Sequence, residues 1–426
     1  MTALALGIDL GTSGVRSAVL DATGAVLAQA RADYGPAPDD YRDPECWWAA
    51  TVTCLGAQMT ELARTGYKAS DITRIGVDGT SGSLVLTDAA LAPVTRALMY
   101  SDSGFSDQAE QIAAHCPRAH VANGAGSALA RALALVGEDP DQKAAHLLHQ
   151  ADFIAARMMG QGGMTDYNNA LKTGLDPATG AWPDWMGCLR LPTHLLPLAH
   201  PPGAPLASIS TDTAERFGLS RMAMVHAGTT DSIAAFLACA DQTPGAAVTS
   251  LGTTLAVKLF SHKRIDAPEM GMYAHRIGGG WLIGGASNSG GGVLKAHFSA
   301  EELQTLSGQI DPETQTALDY YPLLRPGERF PVNDANLRPR LDPRPSNEAD
   351  FLHGMLEGIA RIEKRAYEVM AGMGASYPTC VSTAGGGAMN RTWTRIRTRV
   401  LGVRVYAAET PEASVGTARL VQSFRY

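Results

Sequence analysis

Apolar positions near the start of the chain come in short unbroken runs separated by turn-forming residues. Leu4 to Asp9 is one such run and ends at Gly11-Thr12-Ser13-Gly14. Val15 to Leu20 and Ala25 to Ala30 follow, joined by Asp21-Ala22-Thr23-Gly24. Runs of this length read as strands, and the tetrapeptide between the last two as a hairpin turn. A helix is expected from Asp43-Pro44-Glu45 through Trp47, Val52, Leu55 and Leu62, with proline and acid in its first turn. Ile72 to Val77 predicts a further strand, ending at Asp78-Gly79-Thr80-Ser81-Gly82, with Leu84 to Leu86 after it. Strands alternating with helices, with glycine-rich turns at strand ends, imply an α/β domain.

The stretch from Gly180 to Pro205 is rich in proline and tryptophan and reads as irregular. From Val225 to Ala240 a turn, Gly228-Thr229-Thr230-Asp231, leads into an apolar helix. Ala247 to Val257 then repeats the opening of the chain: an apolar strand, Ser-Leu-Gly-Thr-Thr in place of Asp-Leu-Gly-Thr-Ser, and a second strand. So short a match arises by chance as readily as by duplication, but it suggests two related domains. The boundary falls at Asp241-Gln242-Thr243-Pro244-Gly245, where turn formers cluster. Residues 1–240 then form a first domain and 241–426 a second. Within the second, Asp350 to Met373 carries Leu352, Met355, Leu356, Ile359, Ile362 and Ala366 at helical spacing, with Gly374 as its stop. Thr379 to Thr383 predicts a strand, Gly385-Gly386-Gly387-Ala388-Met389-Asn390 a loop, and Trp393, Ile396, Val400 and Leu401 the buried face of a helix.

Length agrees with this division, because 426 residues exceed what one core organises. A formal net charge of −7 disfavours a nucleic-acid partner, whose phosphates need a basic field. No window carries about 18 uninterrupted apolar residues, so no membrane partner is expected. The six cysteines are dispersed without a CxxC pair, and the first residues lack a basic leader. Both features fit a cytoplasmic protein with reduced thiols. The eleven histidines show neither HxH nor HExxH, so a histidine metal site is not expected.

The candidate chemistry lies in the turns. Gly-Thr-Ser hairpins offer backbone N–H groups and hydroxyls without bulk, which suits a polyanion gripped from two sides by Thr12-Ser13 and Gly252-Thr253. A plain structural turn explains each loop taken singly. Neither GxxxxGK[ST] nor GxGxxG is present, which excludes the P-loop and dinucleotide-binding patterns. Asp9, at a strand end beside the first loop, suits hydrated magnesium or, equally simply, a cap on the turn. Asp231 opens an apolar helix, where free N–H groups keep a carboxylate ionised and able to accept a proton. A helix N-cap is the alternative. Trp47 and Trp48 read as core packing, and Asn168 and Asn169 as pocket lining or a turn.

These motifs occur in an order that resembles the FGGY carbohydrate kinases. DLGTSGVR at 9–16, DPECWW at 43–48, GVDGTSGSLVLTD at 76–88, AGTTDS at 227–232, SLGTT at 250–254 and GGGAMN at 385–390 carry the resemblance over the whole chain. It implies an α/β fold of two duplicated actin-like (ribonuclease H-like) ATPase domains around a central cleft. It also implies ATP and Mg2+ as cofactors and a small sugar as substrate, while a homodimer is raised by the resemblance alone. Carried over position by position, it makes Asp231 the catalytic base and Asp9 the residue near metal and phosphoryl group, both facing the metal and the substrate. Thr12, Ser13, Gly252 and Thr253 become phosphate-binding positions, Gly291 and Lys295 nucleotide neighbours, and Gly386 and Asn390 the adenine pocket.

DYNNALKTG at 166–174, GGASNSGGGVLK at 284–295 and GERFPVNDANLRPRL at 327–341 look most like the D-ribulose and D-xylulose kinase-like branch of cyanobacteria and plants. Two departures bear on the sugar. Thr80-Ser81-Gly82 replaces bulkier polar residues, which puts Ser81 and Gly82 against the substrate. Tyr100-Ser101-Asp102-Ser103-Gly104 replaces a Trp-x-Asp-x-Arg segment and lacks its arginine. The expected activity is phosphoryl transfer to a primary hydroxyl of a ketopentose, D-ribulose first. D-xylulose is the near alternative, and an actin- or chaperone-like nucleotide switch the distant one.

Overall fold

Two six-stranded sheets organise the chain, which the computed structural model describes over residues 3–37 and 40–424. The first holds β1 (Leu4–Leu10), β2 (Gly14–Leu20), β3 (Val26–Asp33), β4 (Ile72–Gly79), β5 (Pro205–Ser208) and β6 (Met224–Thr230), in the order β3-β2-β1-β4-β6-β5. The second holds β7 (Ala246–Leu251), β8 (Leu255–Ser261), β9 (His275–Ile277), β10 (Gly280–Ser287), β11 (Cys380–Ala384) and β12 (Arg404–Ala407), in the order β9-β10-β8-β7-β11-β12.

Omitting β5 and β9, the two sheets have one topology. Each has three antiparallel strands, and the first strand of the hairpin pairs in parallel with a fourth, which pairs in parallel with a fifth. Gly11-Thr12-Ser13 and Gly252-Thr253-Thr254 are therefore equivalent turns between the first two strands of each sheet. The short sequence repeat is the trace of an architectural one.

The chain divides into two compact units: one up to Ala238 together with the stretch from Glu412 onward, the other Cys239–Pro411. The stretch from Glu412 onward thus packs with the first sheet. The reason lies in β1 and β4, whose residues are almost all buried. Parallel strands apolar on both faces need helices on both. Helices Pro44–Arg64 and Gln150–Met159 pack against this sheet, and Ala413–Ser423 returns to it with Val415, Ala418, Leu420 and Val421 buried. Arg74 fixes the end of this last helix by donating to the Val421 carbonyl at 2.8 Å.

The returning helix comes very close to the helix Asp231–Cys239. A Cβ on Gly416 would lie 1.8 Å from the Ala234 carbonyl oxygen, so only glycine fits. Gly416→Ala is expected to cost about 1–3 kcal/mol as the helices move apart. The midpoint of urea unfolding checks this.

In the second unit the helix Glu348–Gly372 buries all six residues of its predicted stripe. Asn347 caps its start by accepting from the Ala349 N–H at 2.9 Å, and Gly374 follows its end at φ +105°. No helix among the described residues is long and apolar enough to cross a membrane. All six cysteines are free thiols.

Candidate active site

Strand register gathers the acids. β1 and β4 are parallel with Asp9 opposite Asp78, and β6 runs parallel to β4 with Thr229 opposite Asp78 and Thr230 opposite Gly79. Asp231 follows at once and opens its helix. Three carboxylates therefore stand at one end of the sheet.

Gly228-Thr229-Thr230 is strand, not the expected turn. A Cβ on Gly228 would meet the Val77 carbonyl oxygen at 1.7 Å, and the register shifts between His226 and Thr229. Glycine and a local bulge let the chain cross there and still extend to Thr230. Asn168 and Asn169 are likewise in a helix, Tyr167–Thr173, rather than a turn. Both are buried and brace β6, through the Thr229 hydroxyl at 3.0 Å and the Thr229 carbonyl at 3.2 Å.

The three acids differ in access. Asp78 is fully buried and Asp9 is 5% exposed, whereas Asp231 is partly exposed. Burial pushes the Asp9 carboxyl up, against the pull of its hydrogen bond with Asp78 and of Arg16 at 3.6 Å. Asp78 is pushed well above the usual carboxylate range by burial and by the Asp9 charge, with the Thr417 hydroxyl donating to it. Burial and the neighbouring Asp9 charge both favour the protonated form of Asp78. Asp231 accepts from the adjacent Ser232 N–H at 2.5 Å.

Around these acids the turns are fixed by neighbours. Gly11 N–H donates to Gly14 O at 2.9 Å, and the Tyr34 hydroxyl donates to Gly11 O at 2.9 Å, leaving Thr12 and Ser13 exposed. In the other turn, the Thr80 N–H and hydroxyl both donate to Gln150 Oε1, at 3.0 and 2.6 Å. Gly82 has φ +89°, and its carbonyl accepts from Arg131 Nε at 2.9 Å. Asp102, in the segment without its arginine, is forked by Arg42 at 2.5 and 2.7 Å. Arg42 lies far from it in sequence, and its spacing carried no signal.

A second constellation has the geometry of a nucleophilic triad. Thr173 Oγ1 lies 2.9 Å from His149 Nε2, and His149 Nδ1 lies 2.6 Å from Asp152. The histidine side chain is wholly enclosed, so no substrate reaches it, and the set is a buried polar brace.

In the second unit a cavity of about 880 Å³ is lined by Gly252, Thr253, Gly291, Lys295, Gly386 and Asn390. These are all the residues singled out by sequence in that unit. A Cβ on Gly386 would meet nothing within 4 Å, so packing does not require glycine there. Asn390 is committed on both sides of its amide. Its oxygen caps the next helix through the Trp393 N–H at 2.9 Å, and its nitrogen donates to Ser307 Oγ at 2.8 Å. It forms part of the wall rather than a free reader. Leu303 and Gln304, from the helix Ala300–Ser307, complete that wall and were not singled out. Asp78 was also missed, although it stands in the quoted GVDGTSG motif as an acid ending a buried strand. Among the described residues, no cluster of three or more His, Cys, Asp or Glu is arranged to hold a metal.

Comparison with known proteins gives consistent results. The family model of the FGGY carbohydrate kinase N-terminal domain matches residues 4–238, and that of the C-terminal domain residues 247–421. The xylulose kinase of Bacillus subtilis (strain 168) is 26% identical, over 98% of this chain and 87% of its own length. The xylulose kinase of Escherichia coli (strain K12) is 23% identical, over 98% and 89%. Among solved structures, a xyloylose kinase from Brucella ovis superposes with a TM-score of 0.85 at 22% identity, covering 99% of this chain and 90% of that one. Plasmodium falciparum glycerol kinase with ADP gives 0.82 at 14%, covering 99% and 89%. Likeness at these identities establishes the fold, the two-domain actin-like ATPase architecture expected from the motifs.

Proposed function

This chain belongs to the FGGY family of carbohydrate kinases, and from that premise we propose that it transfers the γ-phosphoryl group of ATP to a primary hydroxyl of a ketopentose, D-ribulose first. The observation that carries the reading is the acidic end of the first sheet. Asp78 is fully buried, Asp9 keeps a narrow opening at 5% exposure, and Asp231, at a helix start, is the most accessible of the three.

In this reading Asp231 orients the sugar hydroxyl and takes its proton late, because the transition state is loose and positioning dominates. Ser81 and Gly82 face the sugar, Thr12, Ser13, Gly252 and Thr253 the phosphates, and Gly291, Lys295, Gly386 and Asn390 the nucleotide. The first unit thus serves the sugar and the second the nucleotide. Asp9 and Asp231 would hold Mg2+, which neutralises charge on the phosphates when bound. The donor set suits that ion, because magnesium held mainly by phosphate and water asks for only one or two carboxylates. Asp78, hydrogen-bonded to Asp9, keeps that carboxylate in place.

Coupled ADP release against ketopentoses, pentitols and glycerol tests the reading. Fast turnover on D-ribulose is expected, and silence across the panel would sink it. The small Thr80-Ser81-Gly82 turn supports D-ribulose, whereas the names of the bacterial relatives support D-xylulose as the second reading. Gly386→Leu tests the nucleotide assignment. A Cβ there meets nothing within 4 Å, so folding is expected to hold, while KM for ATP rises about tenfold or more if a base lies there, on the scale of overpacking costs.

A further inference from the structure

Arg131, on the helix Ala128–Gly137, is only 3% exposed. Its Nε donates to the Gly82 carbonyl at 2.9 Å, Nη2 to the Gly126 carbonyl at 3.2 Å, and Nη1 loosely to the Asp102 carbonyl at 3.4 Å. A guanidinium has more N–H donors than these three acceptors use. Among the described residues, no carboxylate lies within ion-pair distance of it. The nearby one, Asp102, is already forked by Arg42. Arg131 is thus a nearly enclosed cation held mainly by backbone carbonyls. Burial accordingly pulls the Arg131 pKa down. An unpaired buried charge is strongly destabilising, so tethering backbone carbonyls is a poor reason to keep one.

Next to it, Ser81 Oγ is also shielded from water and has no hydrogen-bond partner among the described residues. The turn makes room for the guanidinium: a Cβ on Gly82 would come within 3.1 Å of Arg131 Nη2. A water-poor corner with a spare guanidinium donor and an unpaired hydroxyl is complementary to a ligand oxygen rich in lone pairs.

We propose that Arg131, with Ser81, is the specificity corner of the sugar site, donating to the carbonyl oxygen of the substrate so that a ketose is preferred over the corresponding polyol. The proposal rests on the sugar-kinase reading above and names the residue that selects the substrate class. A carbonyl oxygen only accepts and meets a fixed fork of donors without penalty, whereas a hydroxyl must turn its own proton aside. A site built to donate to one group discriminates against the analogue lacking it.

The test is calorimetric binding of D-ribulose and D-xylulose, each against ribitol and xylitol, without ATP, in wild type, Arg131→Lys, Arg131→Met and Ser81→Ala. kcat and KM are measured on the same sugars. Wild type is expected to prefer ketoses, and both Arg131 variants to lose about 10–100-fold of that preference, the scale of a hydrogen bond to a charged group. Ser81→Ala, the smallest change, should lose part of it and decides the matter should the Arg131 variants misfold. A purely structural tether would weaken ketose and polyol equally, and an unchanged ratio overturns the proposal. So does a wild type without ketose preference, even one that turns over. Ketose binding without phosphoryl transfer would overturn the kinase assignment and leave Arg131 to be judged on the binding ratios.

Discussion

Replacing Asp231 by alanine is expected to lower kcat by about 10²–10⁴, the usual worth of a positioned general base. Binding of ATP without Mg2+ should change little, because the cavity assigned to the nucleotide lies wholly within the second unit. Asp231→Asn is the sharper variant. It keeps the size and a hydrogen-bonding side-chain oxygen at the helix start, but cannot take a proton. If Asp231 acts only as an N-cap, the asparagine enzyme keeps its rate, since asparagine caps as well as aspartate. If it is the base, both variants fall together while unfolding midpoints stay close to wild type. Single-turnover rates at saturating ATP and sugar, beside urea unfolding curves, separate the two outcomes.

How far the sequence reveals this site depends on the kind of signal each residue leaves. Asp9 and Asp231 could be singled out because each stands in a short glycine- and threonine-containing motif at a strand end. Gly252 likewise lies in a turn, and Gly291 where backbones pass closely, a Cβ there coming within 2.7 Å of the Gly252 carbonyl oxygen. Asp78 ends a strand just as Asp9 does, but its importance comes from parallel register with Asp9, which no local pattern encodes. Arg42 and Gln150 reach their partners across 60 and 70 positions of chain. Long-range pairing of this kind is set by topology, not by spacing. The Gly228-Thr229-Thr230 turn was misread because its residues are turn formers. Close crossing over Val77 selects the glycine there, and tertiary contact overrides local propensity. The helix Ala413–Ser423 shows no sign of its destination, since an apolar face does not say which sheet it covers.

The second large effect concerns stability and lies in the core of the second unit. Arg397 and Glu363 are both fully buried and pair through two bonds of 2.6 and 2.7 Å. Arg397 Nη1 also donates to the Thr383 hydroxyl of β11 at 2.8 Å, and the Thr249 hydroxyl of β7 donates to Glu363 at 2.5 Å. The pair therefore joins two adjacent strands to two helices, Glu348–Gly372 and Arg391–Leu401. Arg397→Met removes the cation and leaves Glu363 charged in an apolar interior, at an expected cost of about 3–5 kcal/mol. Replacing both, as Glu363→Leu with Arg397→Met, removes the orphaned charge and should recover most of that loss. A double mutant no more stable than Arg397→Met would mean that the hydrogen bonds to Thr249 and Thr383, rather than charge pairing, hold the layers together. Because Asn390 of the cavity wall caps the helix that carries Arg397, the single variant should also raise KM for ATP, and the double mutant should restore it in step with stability.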